Sequence, residues 1–194
     1  MRQARTGHSR GRVAISPHLS VTLGIKSECM KYCPECRNTL ELKAVDGVKR
    51  LACQHETCGF VHWDNPVPVV AALVLYQEHY LIARHAGWPN GLFSLITGYL
   101  ERNETPEQAV VREVMEEFGL KSQVKRHIGN YSFLKKNQLI LAYEVVASGT
   151  LAVNHELVEL QHLSPRELAE YDFGPLSLTQ AMVRDWYAFD TRSA

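Results

Sequence analysis

Between Gly98 and Leu120 the chain places Glu104, Arg112, Glu113, Glu116 and Glu117. That is four spaced carboxylates and one guanidinium in a loop and a single helix. Thr105 precedes Pro106, and Gln108 follows three residues after the threonine, which reads as an N-cap, a proline in the first turn and a capping-box partner. The helix is expected over 106–118, with Gly119 ending it. Spacings of three and four put Glu113, Glu116 and Glu117 on one face, with Ala109, Val110, Val114 and Met115 giving apolar contacts elsewhere. Like charges at that spacing each cost a few tenths of a kcal/mol, and the C-terminal half of a helix also disfavours anions. A hard divalent cation, Mg²⁺ or Mn²⁺, would offset this cost by taking carboxylate oxygens. The plain alternative is an exposed acidic face with Arg112 bridging to Glu116.

A second cluster with metal chemistry lies upstream. Cys33 and Cys36 are separated by two residues, Cys53 and Cys58 by four. Two such pairs can present four thiolates to tetrahedral Zn²⁺, and so short a segment needs that staple because it cannot bury a core of its own. His55 or His62 could replace one thiol, and paired disulfides are the competing reading. Cys29 reads as a free thiol just outside the knuckle. Between the pairs Glu35, Glu41 and Asp46 offset Arg37, Lys43, Lys49 and Arg50, so a structural or dimer-forming role is favoured over nucleic-acid contact.

The whole chain fits one good core with a small appendage. It has 194 residues, with 21 basic and 21 acidic side chains that cancel. No net field attracts nucleic acid, and no apolar run reaches bilayer length. Residues 1–27 contain Arg2, Arg5, Arg10, Arg12 and Lys26 without an acidic partner. They lack the apolar stretch of a secretory signal, which points to a flexible basic segment in a cytoplasmic protein, with organellar targeting as the alternative.

Residues 69–76, 80–83 and 92–96 read as strands leading to the carboxylate loop. Further strands are expected at 123–128, 139–146 and 157–162. A short helix is expected at 165–171, and a terminal one at 176–188 burying Leu178, Met182, Trp186 and Tyr187. Arg84 and His85 close the second strand and face either a phosphate site or solvent.

The stretch from Gly98 to Leu120 resembles the Nudix signature at every fixed position: Gly98, Glu104, Arg112, Glu113, Glu116, Glu117 and Gly119. With a four-cysteine ribbon directly before it, residues 32–190 resemble the NADH diphosphatase branch. The resemblance implies an α/β fold, a Nudix three-layer α/β/α sandwich over residues 66–194 with an N-terminal zinc ribbon over 28–65. It implies metal-dependent attack of water on a pyrophosphate. Glu116 and Glu117 would be metal ligands, Glu113 a ligand or water-orienting group, and the Gly98 carbonyl a further ligand. Arg112 would hold a carboxylate, Glu104 would support the network, and Glu156 of the Glu156-Leu-Val-Glu159 segment would add a ligand, with Glu159 in reserve. Tyr99 would stack on a base, Trp63 is a second platform, and Arg84 is a candidate phosphate contact.

The implied substrate is a dinucleotide or other nucleoside diphosphate derivative such as ADP-ribose, NAD(H) or FAD, with NAD-capped RNA as a further candidate and a homodimer as the expected assembly. One segment departs from the branch. Its Ser-Gln-Pro-Trp-Pro-Phe-Pro-type stretch is replaced here by Gly129 to Leu139, with Lys135 and Lys136 available to meet substrate charge. A metabolite-binding regulator without turnover and a ribbon scaffold for protein or nucleic acid are the other readings. The intact carboxylate set disfavours both.

Overall fold

The computed structural model describes residues 30–190. The basic segment at 1–27 and Cys29 lie outside the described residues. The chain divides into two compact units, one ending at Val61 and the other running from His62. The sequence reading had placed that boundary after residue 65.

In the smaller unit β1 (Leu40–Val45) and β2 (Val48–Cys53) form an antiparallel hairpin, and β3 (Val61–His62) adds a third strand to the sheet. Its interior is little more than Cys33, Leu40 and Cys53, with Met30, Cys36, Leu51, Cys58 and Phe60 packed around them. So few apolar side chains cannot offset the backbone entropy of ordering the segment, which is why cross-linking chemistry matters here.

The larger unit is built on β4 (Val67–Tyr76), β5 (His79–His85), β6 (Ile96–Tyr99), β7 (Lys121–Phe133), β8 (Gln138–Ser148) and β9 (Leu157–Leu163). Strand order is β7-β8-β4-β5-β9, and β6 pairs with β4 beside the start of that strand. The β4–β8 pair is parallel, while the other ladders are antiparallel. Strand β4 reads as an unbroken apolar run because both of its faces are covered. Val70, Ala72 and Val74 meet Ala109, Val110, Val114 and Phe118 of α1 (Pro106–Phe118). Val69, Ala71 and Leu73 pack with Leu168 of α2 (Pro165–Glu170) and Met182, Val183 and Trp186 of α3 (Ser177–Asp190). The result is the expected α/β/α sandwich.

Several boundaries differ from the sequence reading. Residues 92–95 pair only through an Ala83–Ser94 bridge, because Phe93 and Leu95 are drawn into the α3 core and Ser94 Oγ lies 3.1 Å from Thr179 Oγ1. Strand β6 therefore starts at Ile96. Strand β7 runs to Phe133, well past residue 128, since Tyr131 and Phe133 still find apolar cover in that core. Met115 faces outward, and Leu178 is only half-buried. Tyr187 is exposed, with its ring against Trp186.

Glu144 was not anticipated. It is fully buried in β8 yet satisfied by Tyr80 Oη (2.7 Å), Lys125 Nζ (3.0 Å) and Arg126 Nε (2.6 Å). Arg126 also donates to the Trp186 carbonyl, which ties β7 and β8 to α3. Despite the burial, these donors hold the Glu144 carboxyl below the usual range.

Candidate active site

Helix α1 carries the acidic cluster and is fixed at both ends. Thr105 accepts from the Gln108 N–H while the Gln108 side chain accepts from the Thr105 N–H, and Pro106 opens the helix. At the other end Gly119 turns left-handed at φ 66°. A Cβ there would also stand 3.2 Å from Ala152. The following loop supplies donors to the last carbonyls, with Ala152 N–H on Phe118 O (2.9 Å) and Asn154 N–H on Glu117 O (3.0 Å). Those same bonds carry Glu156 toward the helix end.

Arg112 is the hub of the cluster. It donates to Glu104 at 2.8 and 3.1 Å, to Glu113 at 2.7 Å, to Glu116 at 3.1 Å and to the Tyr99 carbonyl at 3.0 Å. Its pairing holds Glu104 low, helped by the Glu101 N–H. Glu113 is nevertheless pushed up, because burial outweighs the arginine. Its carboxyl lies against Gly98 so closely that a Cβ at that position would overlap it. A side chain there would push the Glu113 carboxyl out of its present position.

Glu117 is strongly perturbed. Only 3% exposed, it sits beside Glu113 and Glu156, and burial and those charges raise its carboxyl to about 8. Its Oε2 is buried without a hydrogen-bond partner. A buried carboxylate oxygen left in this way is what a cation would satisfy, so the residues fit a divalent metal. Glu116 is different, with a side chain 54% exposed and tied to Arg112.

His85 belongs to this cluster although the sequence had left its direction open. Along β5, Leu81 and Ala83 face α1 while Tyr80 and Ile82 face α3. Period two then sends His85 to the α1 side and Arg84 to the other. His85 Nε2 stands 4.0 Å from Glu117 Oε2. Burial lowers the pKa of the imidazole, against the pull of Glu156. Arg84, expected as a substrate contact, donates to Glu159 Oε1 (2.6 Å) and the Trp88 carbonyl. That pairing engages Glu159, the reserve ligand, with a cation.

Of the two expected base platforms, Tyr99 is 49% exposed and its hydroxyl accepts from Gln138 Nε2. Trp63 is 46% exposed in the same unit. The Gly129–Leu139 segment forms the end of β7, a 3-10 turn at Leu134–Lys136 and the start of β8, which places the turn next to the Tyr99 hydroxyl through Gln138.

In the smaller unit the sulfurs of Cys33, Cys36, Cys53 and Cys58 lie within 4.8 Å of one another. The closest contacts are 3.5 Å for Cys33–Cys58 and 3.3 Å for Cys36–Cys53, well beyond the roughly 2.0 Å of a disulfide. Asn38 hydrogen bonds lower the Cys36 thiol to about 6, so a thiolate is readily formed. His55 is engaged with Thr57, and His62 approaches Asp64. Four converging sulfurs without a histidine among them fit a tetrahedral soft-ligand site. Among the described residues this is the compact ligand group, whereas the carboxylates around α1 are spread, with Glu113 and Glu116 of the helix and Glu104 of the preceding loop held by Arg112.

The larger unit is thus a three-layer sandwich with a glutamate-rich helix set beside a glycine of β6. The NUDIX domain model matches residues 66–183, more than half of the chain, and the protein belongs to the Nudix family. It is 31% identical over 126 residues to the NAD-capped RNA hydrolase NudC of Vibrio cholerae, covering 64% of this chain and 45% of that protein. It is 30% identical over 146 residues to the NudC of Vibrio atlanticus, covering 73% and 52%. The chain thus spans about half the length of these curated relatives. Among solved structures, a NUDIX hydrolase from Nitrosomonas europaea superposes with a TM-score of 0.69 at 21% identity, covering 82% of this chain and 91% of that one. That likeness shows the fold.

Proposed function

We propose that this chain hydrolyses the pyrophosphate bond of a nucleoside diphosphate linked to a second group, of the ADP-ribose, NAD(H) or FAD type, releasing a nucleoside monophosphate. The observation that carries the reading is Glu117, buried, unpartnered at Oε2 and pushed to about 8 beside Glu113 and Glu156. Bound Mg²⁺ or Mn²⁺ would neutralise phosphate charge and acidify water there. Glu113 and Glu117 hold the ion, with Glu116, Glu156 and the Gly98 carbonyl as further donors. Arg112, fixed by Glu104 and the Tyr99 carbonyl, keeps Glu113 in place. The NudC-named relatives favour a nicotinamide dinucleotide, free or at an RNA end, with Tyr99 stacking a base.

The smaller unit holds structural Zn²⁺ on its four cysteines, in a cytoplasm reducing enough to keep them as thiols. Exposed Trp63, Val67 and Leu139 support assembly of two copies, which light scattering in solution would read directly. The deciding experiment incubates purified protein with ADP-ribose, NADH, NAD, FAD and NAD-capped RNA in Mg²⁺ or Mn²⁺ and resolves the products by chromatography. Cleavage of at least one dinucleotide to a nucleoside monophosphate is expected. Tight binding without turnover of any of them would return the chain to the metabolite-binding class.

A further inference from the structure

We infer that His85 supplies a nitrogen ligand beside Glu117, so that the metal position under the carboxylate helix is a mixed oxygen and nitrogen site selective for Mn²⁺ over Mg²⁺. The inference rests on the metal reading above and concerns a residue outside the acidic motif. Its basis is the geometry at the end of β5. The β5–β9 ladder shifts register opposite Arg84 and His85 with the extra residue, Val158, on β9, so β5 keeps its own alternation and carries His85 to the side of α1. The aim is then fixed from three sides. Ala86 N–H donates to the Glu156 carbonyl at 2.7 Å, Trp88 N–H donates to the His85 carbonyl at 3.1 Å, and the Trp88 ring lies 5.3 Å from the imidazole, centroid to centroid. Held this way, His85 is mostly buried and points its Nε2 at the buried, unpartnered Glu117 Oε2, 4.0 Å away.

That separation suits a shared cation. Two donors each about 2.1 Å from one ion are roughly 3 Å apart at right angles and about 4.2 Å apart across it. No hydrogen bond between the two groups competes at 4.0 Å. Mg²⁺ takes oxygen donors, whereas imidazole favours transition metals, so one nitrogen in the set tilts the choice toward Mn²⁺.

The test uses the full chain, stripped of exchangeable metal with a mild chelator and loaded with less than one equivalent of Mn²⁺. Electron spin echo modulation should show a directly bound ¹⁴N, replaced by the ¹⁵N pattern in protein grown on ¹⁵N-histidine. His85→Gln should abolish the modulation and weaken Mn²⁺ binding on the order of tenfold, the scale on which changes around a metal site act, while the Mg²⁺ affinity moves much less. His162→Gln should leave both unchanged. Bound Mn²⁺ without histidine modulation in the unaltered protein overturns the inference and leaves the carboxylate site standing. Failure to bind Mn²⁺ at all overturns both, and neither result depends on the variant folding.

Discussion

Glu117 combines two demands that conflict in the metal-free protein. Its folded pKa of about 8 lies above the ordinary carboxylate value, so the folded state binds the extra proton between about pH 4.5 and 8. The stability this contributes is complete below about pH 4.5 and is lost as pH rises through 8. In chelator, the melting temperature should therefore fall across that window, and Glu117→Gln should flatten the fall. Adding Mg²⁺ or Mn²⁺ should restore the unaltered protein most at high pH and Glu117→Gln least. A metal-free melting temperature that rises with pH from 5 to 8 would contradict the burial argument. In the presence of metal, Glu117→Gln should reduce kcat by orders of magnitude, because a neutral amide of the same shape keeps the fold but not the charge. Glu156→Gln should be milder, since its exposed carboxylate acts from the loop. The reverse ranking in steady-state assays would move the dominant contact off the helix.

At the level of elements, α1 depends on its ends. Thr105→Ala should cost about 1 kcal/mol by removing a cap, and Gly119→Ala at least about 1 kcal/mol, from positive φ and the tight approach to Ala152. Urea titration would measure both, and a neutral Gly119→Ala would refute the close contact. This helix was legible residue by residue because capping and the glutamate spacing are local signals. What escaped the sequence reading depended on which element lies opposite. Met115 sits at a helical position like its apolar neighbours, yet its side chain is left exposed among the described residues. Arg84 and His85 are adjacent and polar, and only the sheet decides that one meets Glu159 while the other meets Glu117. Glu144 left a usable trace, a lone acid inside the apolar run 139–147, which in a strand covered on both faces signals a buried charge with cationic partners nearby. Truncating it to Ala should destabilise the sheet by roughly 3–5 kcal/mol, because Arg126 would be left without its buried partner.

Across the whole molecule, the proposed assignment gives the two units different metals. Removing zinc with a strong chelator, or changing Cys33 to Ser, should raise hydrogen exchange through residues 40–53 while β4 stays protected, because the larger unit has apolar layers of its own and the smaller one does not. Equal protection of 40–53 with and without zinc would show that the hairpin stands unaided. The parallel ladder at the centre of the larger sheet has a different consequence, one that concerns how the chain reaches this state. Position 67 pairs with 138 and 76 with 147, so β4 cannot complete its hydrogen bonds until nearly all of β8 has been synthesised. Until then Val67–Tyr76 is an apolar ten-residue segment of high strand propensity with an unfilled edge, the kind of sequence that pairs with copies of itself. Closing so long a loop is slow compared with forming α1 or the β4–β5 hairpin. Nascent chains stalled before residue 138 are therefore the species most prone to aggregate. Recovery of soluble protein should improve with slower accumulation of unfinished chains, a dependence that the finished fold, with β4 sealed between its neighbours, would not display.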